Sequence, residues 1–509
     1  MVCGTGSDAG KSFLVAGLCR LLAGRGVKVA PFKAQNMALN AAVTAGGAEI
    51  GHAQWVQALA AGVEPEAAMN PVLLKPTGER ASQVIVMGRP IGVQSARDYH
   101  GSKRDLLPVV LEALADLRSR YDVVICEGAG SAAEINLLDR DIVNLPLADA
   151  AGLPAIVVGD IDRGGVFAAL HGTVELLPAH LRSLVRGFVI NRLRGDPALL
   201  GDACADLERR CGVPTLGVIP HVPGADLDAE DSLTLDRLAA GDPPSGPAVD
   251  VDVLDVAAIR WPRVSNAGDL DPLRLEPHVA VRWVRTQADL GRPDLVVLPG
   301  SKDTRGDLAW FNSTGLADAV RRAAGADTTV VAVCAGVQML GRTIDDPGGV
   351  EGPAGTATGL GWLPLATRFD GDKVLDRPAG LAVAGPGAGQ RVSGYRIHHG
   401  RVGPLCGAVA WLAADGGEVL GWHAGGVCGT TLHGVLEDDG FRAAALHWVA
   451  DRSGKRWWPG GVRFAEARFE RFDRIAAAIE THVDLDRLGR LIEGQGPNSP
   501  EHDALLPAK

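Results

Sequence analysis

Short runs of apolar, often β-branched residues alternate with longer stretches of helical periodicity along most of the chain. Residues 27–32, 123–126, 155–159, 187–190 and 215–219 are near-continuously apolar, the pattern of strands covered on both faces. Segments between them, such as 105–120, place apolar residues three and four apart and predict helices. Strands alternating with helices predict a doubly wound α/β domain, with ligands at the carboxyl ends of its parallel strands. Gly241-Asp242-Pro243-Pro244-Ser245-Gly246-Pro247 interrupts this pattern and reads as a linker. A second set of elements begins at Val251 and includes strands at 279–284, 295–298 and 330–333, which predicts a second doubly wound domain. Residues 382–390, rich in glycine and alanine, read as a loop, and 464–493 as a charged helical tail before a polar end. The expected organisation is a first domain over 1–236, a linker over 237–250, a second domain over 251–450 and a helical tail over 451–509.

Composition adds limits to this picture. Of 509 residues, 46% are hydrophobic and 22% charged, enough apolar material for more than one core. A net charge of −11 argues against nucleic acid or an anionic membrane as the principal partner. The eight cysteines form no CxxC pair, and several sit in apolar runs, as expected of reduced thiols in the cytoplasm. No signal peptide and no apolar span of about 18 residues is visible, so membrane insertion is not expected.

The first domain opens with Gly4-Thr5-Gly6-Ser7-Asp8-Ala9-Gly10-Lys11-Ser12. This is a phosphate loop: backbone N–H groups cradle phosphates, Lys11 neutralises them and the Ser12 hydroxyl reaches Mg²⁺. Phe13, Leu14, Leu18, Leu21 and Leu22 then mark the helix that such a loop requires. Thr5 stands where strict spacing wants glycine, and Gly4 one position earlier resembles the loop of dethiobiotin synthetase-like ATPases. Only Met1 to Cys3 precede Gly4, so the first strand is expected to be short or to start upstream of Met1. Mg²⁺ also needs a hard carboxylate at a neighbouring strand tip, which Glu127 supplies, with Glu49 a second acidic candidate. Lys33, Gln35 and Asn36 follow one strand, and Asp162 and Arg163 another, placing them to meet substrate carboxylates or phosphate. Asn191 ends the strand at 187–190, where the related ATPases read adenine.

The second domain contains Val330-Val331-Ala332-Val333-Cys334-Ala335-Gly336, a buried strand running into a tight turn and helix. A nucleophile at such a turn is exposed, with backbone N–H groups facing a developing oxyanion. Gly429-Thr430-Thr431-Leu432-His433 supplies a histidine able to hold the Cys334 thiol as thiolate and to act as general acid. Together these resemble class I glutamine amidotransferases, a likeness that assigns oxyanion donors to Gly300 and Ala335. Most of that class carry glutamate two residues after the histidine, where this chain has Val435. The pattern therefore resembles the branch working with a Cys–His dyad. Packing or a backbone carbonyl is expected to hold His433, no single carboxylate of 251–450 to match it, and Val435→Glu to be tolerated at the site's border.

Longer strings point to one family. Residues 32–40 (FKAQNMALN), 69–76 (MNPVLLKP), 82–88 (SQVIVMG), 127–131 (EGAGS), 160–167 (DIDRGGVF) and 393–400 (SGYRIHHG) resemble those of the cobyric acid synthases, over about residues 1 to 450. Arg396 departs from the glutamate usual in that family. The resemblance implies ATP and Mg²⁺ in the first domain and glutamine hydrolysis in the second. It implies a corrinoid substrate, adenosylcobyrinic acid a,c-diamide, amidated at four carboxylates to adenosylcobyric acid. Cobyrinic acid a,c-diamide synthase shares the domain order, but the strings at 32–40 and 82–88 argue against it. A partitioning-type ATPase switch with an inert glutaminase-like domain need keep neither Cys334 nor His433.

Overall fold

The computed structural model describes residues 1–77, 81–225, 227, 251–325 and 327–494. The expected linker at 237–250 and the polar end beyond 494 lie outside these residues.

In the first domain, Val2–Gly4 pairs in parallel with Ala155–Asp160, which continues through Val185–Leu193 to Thr215–Pro220. A parallel pair, Val29–Phe32 with Val123–Cys126, extends this sheet through the bridge between Val2 and Glu127. These are the strands expected from apolar runs, and helix Leu107–Arg120 likewise matches its periodicity. Helix Lys11–Gly24 buries Leu14, Leu18, Leu21 and Leu22 against the sheet.

The charged tail is not peripheral. Helix Phe464–His482 returns to the first domain and lays Ile475 and Ile479 on helix Lys11–Gly24, inside the same apolar cluster. The helices approach so closely at Gly17 that a Cβ there would stand 2.4 Å from the Ile479 side chain.

Two further sheets were not apparent from periodicity. Gln35–Met37, Val72–Pro76, Ala81–Val86 and Arg89–Ser95 form one, with Val72–Pro76 between a parallel and an antiparallel neighbour. Leu365–Asp376 and Arg396–Pro404 pair antiparallel in the other.

The second domain is built on a nine-stranded sheet. Its parallel part runs Val279–Val284, Leu254–Ile259, Leu295–Leu298, Thr329–Val333, Val427–Thr430, and four antiparallel strands continue it. All five residues of Thr329–Val333 are buried, in keeping with the apolar run over 330–333. Residues 383–390 form the expected loop.

The two domains meet through polar side chains. Asn40 of the first accepts from the Asn266 backbone N–H at 2.7 Å, and the Asn266 amide donates to the Ala41 carbonyl at 2.9 Å. Lys373 of the second domain reaches Glu49 of the first at 2.6 Å.

Gly17→Val should overpack the contact with Ile475 and Ile479 and destabilise the chain by roughly 1–3 kcal/mol. Thermal unfolding and limited proteolysis would register this as a lower Tm and faster cleavage around residues 455–494.

Candidate active site

Cys334 sits at the carboxyl end of the central strand, with φ of 54° and ψ of −109°. A side chain rarely adopts this backbone, and the strained residue stands, buried, at the junction with helix Ala335–Leu340. The turn is held by the Cys334 N–H donating to the Thr430 carbonyl at 2.8 Å. Gly336 makes it possible, since a Cβ there would lie 2.3 Å from the Leu298 carbonyl oxygen.

His433 follows the adjacent strand Val427–Thr430, and its buried imidazole lines the same cavity as Cys334, whose charge acts on it. Its other nitrogen, Nδ1, donates to the Asp269 carboxylate at 2.7 Å. The second Asp269 oxygen accepts from the Gly434 N–H at 2.8 Å, so the carboxylate grips both ring and backbone. Asp269 lies in a helical turn, Ala267–Leu270, in the segment after strand Leu254–Ile259. Burial by itself would lower the His433 pKa, but the charges of Asp269 and Cys334 raise it to about 10. The ring is therefore an imidazolium at neutral pH, and it can stabilise a thiolate and later give up a proton.

This corrects the expectation that His433 lacks a carboxylate partner. The residue two positions on is indeed Val435, but it is 2% exposed and packs in an apolar cluster with Leu273 and Leu446. A glutamate there would bury its charge among hydrocarbon, so the expected tolerance of Val435→Glu is also corrected. The acid comes instead from 164 residues upstream.

Gly300 and Ala335 flank this group. A Cβ on Gly300 would lie 3.0 Å from His433 Cε1, and the Gly300 carbonyl is held by Trp261 Nε1 at 3.1 Å. Ala335 is the first residue of its helix, so its N–H has no intrahelical acceptor. Tyr395 stacks on His433 at 5.4 Å and exchanges two backbone hydrogen bonds with it. Its hydroxyl accepts from Asn266 at 2.9 Å. Arg396 is accounted for by Asp376 and Glu418, which it bridges at the edge of this segment. His398 lines the cavity beside Cys334, with neither ring nitrogen partnered among the described residues. Burial, then the charges of Arg396 and His433, push its pKa down to about 3, so it is neutral.

In the first domain, Ser12 donates to Glu127 at 2.9 Å, and Lys33 pairs with the same carboxylate at 2.9 Å. Gln57 donates to its other oxygen. Lys11 is curled onto the Gly6 and Gly130 carbonyls at 2.8 and 3.0 Å. A hydroxyl and a carboxylate side by side at a phosphate loop suit Mg²⁺, which takes one or two carboxylates with phosphate and water oxygens. Among the described residues no cluster of three His, Cys, Asp or Glu side chains offers a metal cage. Arg163 reaches Asp8 of the loop at 3.2 Å, and Asp162 pairs with Arg194 at 2.9 Å, both exposed at the rim.

The remaining candidates of the first domain are held by neighbouring groups. Glu49 is fully buried between Lys75 and Lys373, at 2.9 and 2.6 Å, so both its oxygens are taken. Burial would raise its pKa, but the two ammonium groups bring it down to about 2. Asn191 is buried and donates to the Ala9 carbonyl at 3.3 Å, so it braces the phosphate loop. Gln35 accepts from Tyr99 at 2.6 Å and Asn36 donates to Gln54 at 3.0 Å, and both side chains are buried.

Residues 1–234 match the CobQ/CobB/MinD/ParA nucleotide binding domain, and residues 255–441 the CobB/CobQ-like glutamine amidotransferase domain. The chain is 51% identical to the cobyric acid synthase of Frankia casuarinae, over 97% of this chain and 96% of that one. It belongs to the cobyric acid synthase family. The cobyric acid synthases of Streptomyces avermitilis and Streptomyces coelicolor are 49% and 50% identical, each over 98% of this chain and 97% of theirs. Like other members of the cobyric acid synthase family, it is a glutamine-dependent amidoligase with an amino-terminal nucleotide-binding domain. Among the described residues no helix is long and apolar enough to cross a membrane.

Asp269→Asn removes a contribution that raises the His433 pKa and leaves burial to lower it. Glutamine hydrolysis should fall by roughly 10²- to 10⁴-fold, as when a triad acid is neutralised. The alkaline limb of its pH–rate profile should lie at lower pH than in the native chain, because His433 loses a charge that raises its pKa. A pH–rate profile of the variant checks both.

Proposed function

We propose that the chain makes adenosylcobyric acid from adenosylcobyrinic acid a,c-diamide, amidating its b, d, e and g carboxylates with glutamine as nitrogen donor and ATP as energy source, in the cytoplasm. The observation that carries this reading is the pairing of two sites in one chain: Cys334 against the His433 imidazolium, and Ser12 with Glu127 at a phosphate loop.

In this reading the Cys334 thiolate attacks the glutamine side-chain amide, and the oxyanion is received by the Gly300 and Ala335 N–H groups. His433, steadied by Asp269, protonates the departing nitrogen, so ammonia leaves and a γ-glutamyl thioester remains. Water then attacks the thioester, releasing glutamate and restoring the thiol. In the first domain, the loop amides and Lys11 hold the ATP phosphates while a corrinoid carboxylate attacks the terminal one. Mg²⁺, held by Ser12 and Glu127, would neutralise phosphate charge there. The acyl phosphate and ADP form, and ammonia displaces phosphate to leave the amide. Lys33, paired with Glu127 beside the loop, would meet the transferring phosphoryl group. Arg163, exposed beside Asp8, suits the acidic periphery of the corrinoid.

Cys334→Ala should abolish glutamine-dependent amidation and leave amidation from ammonium salts, whereas Lys11→Ala should remove both. Mass spectrometry of products from defined corrinoid precursors reads the outcome, and loss of both activities in folded Cys334→Ala would overturn the two-site reading. Glu127→Gln should raise the Mg²⁺ concentration needed for half-maximal ammonia-dependent rate at least tenfold, measured by metal titration.

A further inference from the structure

The cavity beside Cys334 holds two opposite charges that the hydrolytic chemistry does not use. Lys302 follows the Gly300–Ser301 strand and is 7% exposed. Among the described residues no hydrogen-bond or ion-pair partner stands within reach of its ammonium group, although it lines the cavity with Cys334 and His433. An ammonium buried without a partner is costly, and desolvation lowers its pKa despite the nearby negative charge of Glu351. Glu351 lines the same cavity. One of its oxygens accepts from the Thr304 hydroxyl at 3.0 Å, and its own N–H is fixed by buried Asp346 at 3.0 Å. Burial raises its pKa, and Lys302 opposes that rise. The two groups influence each other yet form no ion pair among the described residues, and both line the one cavity that holds Cys334.

We infer that Lys302 and Glu351 read the two α-substituents of the substrate amino acid, Lys302 binding the α-carboxylate and Glu351 the α-ammonium, so that free glutamine is selected over amides lacking either charge. This rests on the reading of Cys334 as the glutamine-attacking thiol. The match is one of charge and placement. A free amino acid presents a carboxylate and an ammonium on one carbon, with the side-chain amide extending toward the nucleophile. Binding then gives the buried Lys302 ammonium the partner it lacks and the half-buried Glu351 carboxylate a cation, and repays a desolvation already incurred by the folded chain. The open space is only about 20 Å³, so the amino acid spreads the walls as it enters. A peptide-bound glutamine has neither charge and is refused on both counts.

The test is hydrolysis by the full-length chain of L-glutamine, of glutaramate, which lacks the α-amino group, and of 4-aminobutanamide, which lacks the α-carboxylate. In the native chain kcat/KM should be lower for each analogue by roughly tenfold to a hundredfold, the range for a hydrogen bond to a charged group. Lys302→Met should lose the preference for glutamine over 4-aminobutanamide and keep the preference over glutaramate. Glu351→Gln should show the reverse, and Lys302→Arg should retain part of the carboxylate preference. Native enzyme that hydrolyses either analogue as well as glutamine overturns the inference, whether or not the variants fold. So do variants that keep both preferences. A native chain that hydrolyses none of the three defeats the reading of Cys334 itself, a different result from hydrolysis without discrimination.

Discussion

The Asp269 carboxylate is the contact on which the second domain's chemistry depends. It is nearly buried, and its two oxygens are divided between the His433 ring and the Gly434 N–H. The first bond selects the imidazole orientation that faces Cys334, and the second fixes the backbone that carries the ring. Burial alone would drive His433 to its neutral form and leave the thiol without a cationic neighbour. The carboxylate reverses that balance. Tyr395, stacked on the far face of the ring, limits the remaining rotation.

The turn carrying Asp269 is itself held by the other domain. Asn266 adopts a left-handed backbone at φ of 54°, with its N–H bonded to Asn40 and its side chain shared between Ala41 and Tyr395. The string containing Asn40 also contains Lys33, which pairs with Glu127 at the phosphate loop. The segment 32–40 therefore joins, through the chain itself, a contact at the first domain's loop to one beside the second domain's histidine. Glu49, clamped by one lysine from each domain, closes the interface beside it. Charged groups buried here are paired, as a low-dielectric interface requires. Lys302 is the exception within the cavity, and exceptions of this kind mark places where a ligand completes the structure.

The first domain uses the same economy of carboxylates. Glu127 receives Ser12, Lys33 and Gln57 at once, so its charge is met from three directions before any nucleotide arrives. The returning helix Phe464–His482 supports this site from behind, by packing on the helix that begins at Lys11. Periodicity alone identified that tail as helical. Its partner was invisible, because an amphipathic helix states which face is apolar and not what covers it.

Local signals were legible wherever function is a property of a few consecutive residues. The phosphate loop, the strand-to-helix turn at Cys334 and the parallel strands depend on backbone geometry that glycines and β-branched residues impose within a short segment. Strings such as 32–40 and 393–400 carried the family resemblance in the same way. The pairing of Asp269 with His433, the lysine clamp on Glu49 and the bracing role of Asn191 were not legible. Val264-Ser265-Asn266-Ala267-Gly268-Asp269 did place an acid after a strand, the available signal, but many acids follow strands. What chose this one is the sheet: parallel strands bring their carboxyl ends together whatever their separation along the chain. The sequence by itself determined which strands exist and what each carries at its end. The order in which those strands lie side by side, a matter of tertiary packing, decided which ends meet.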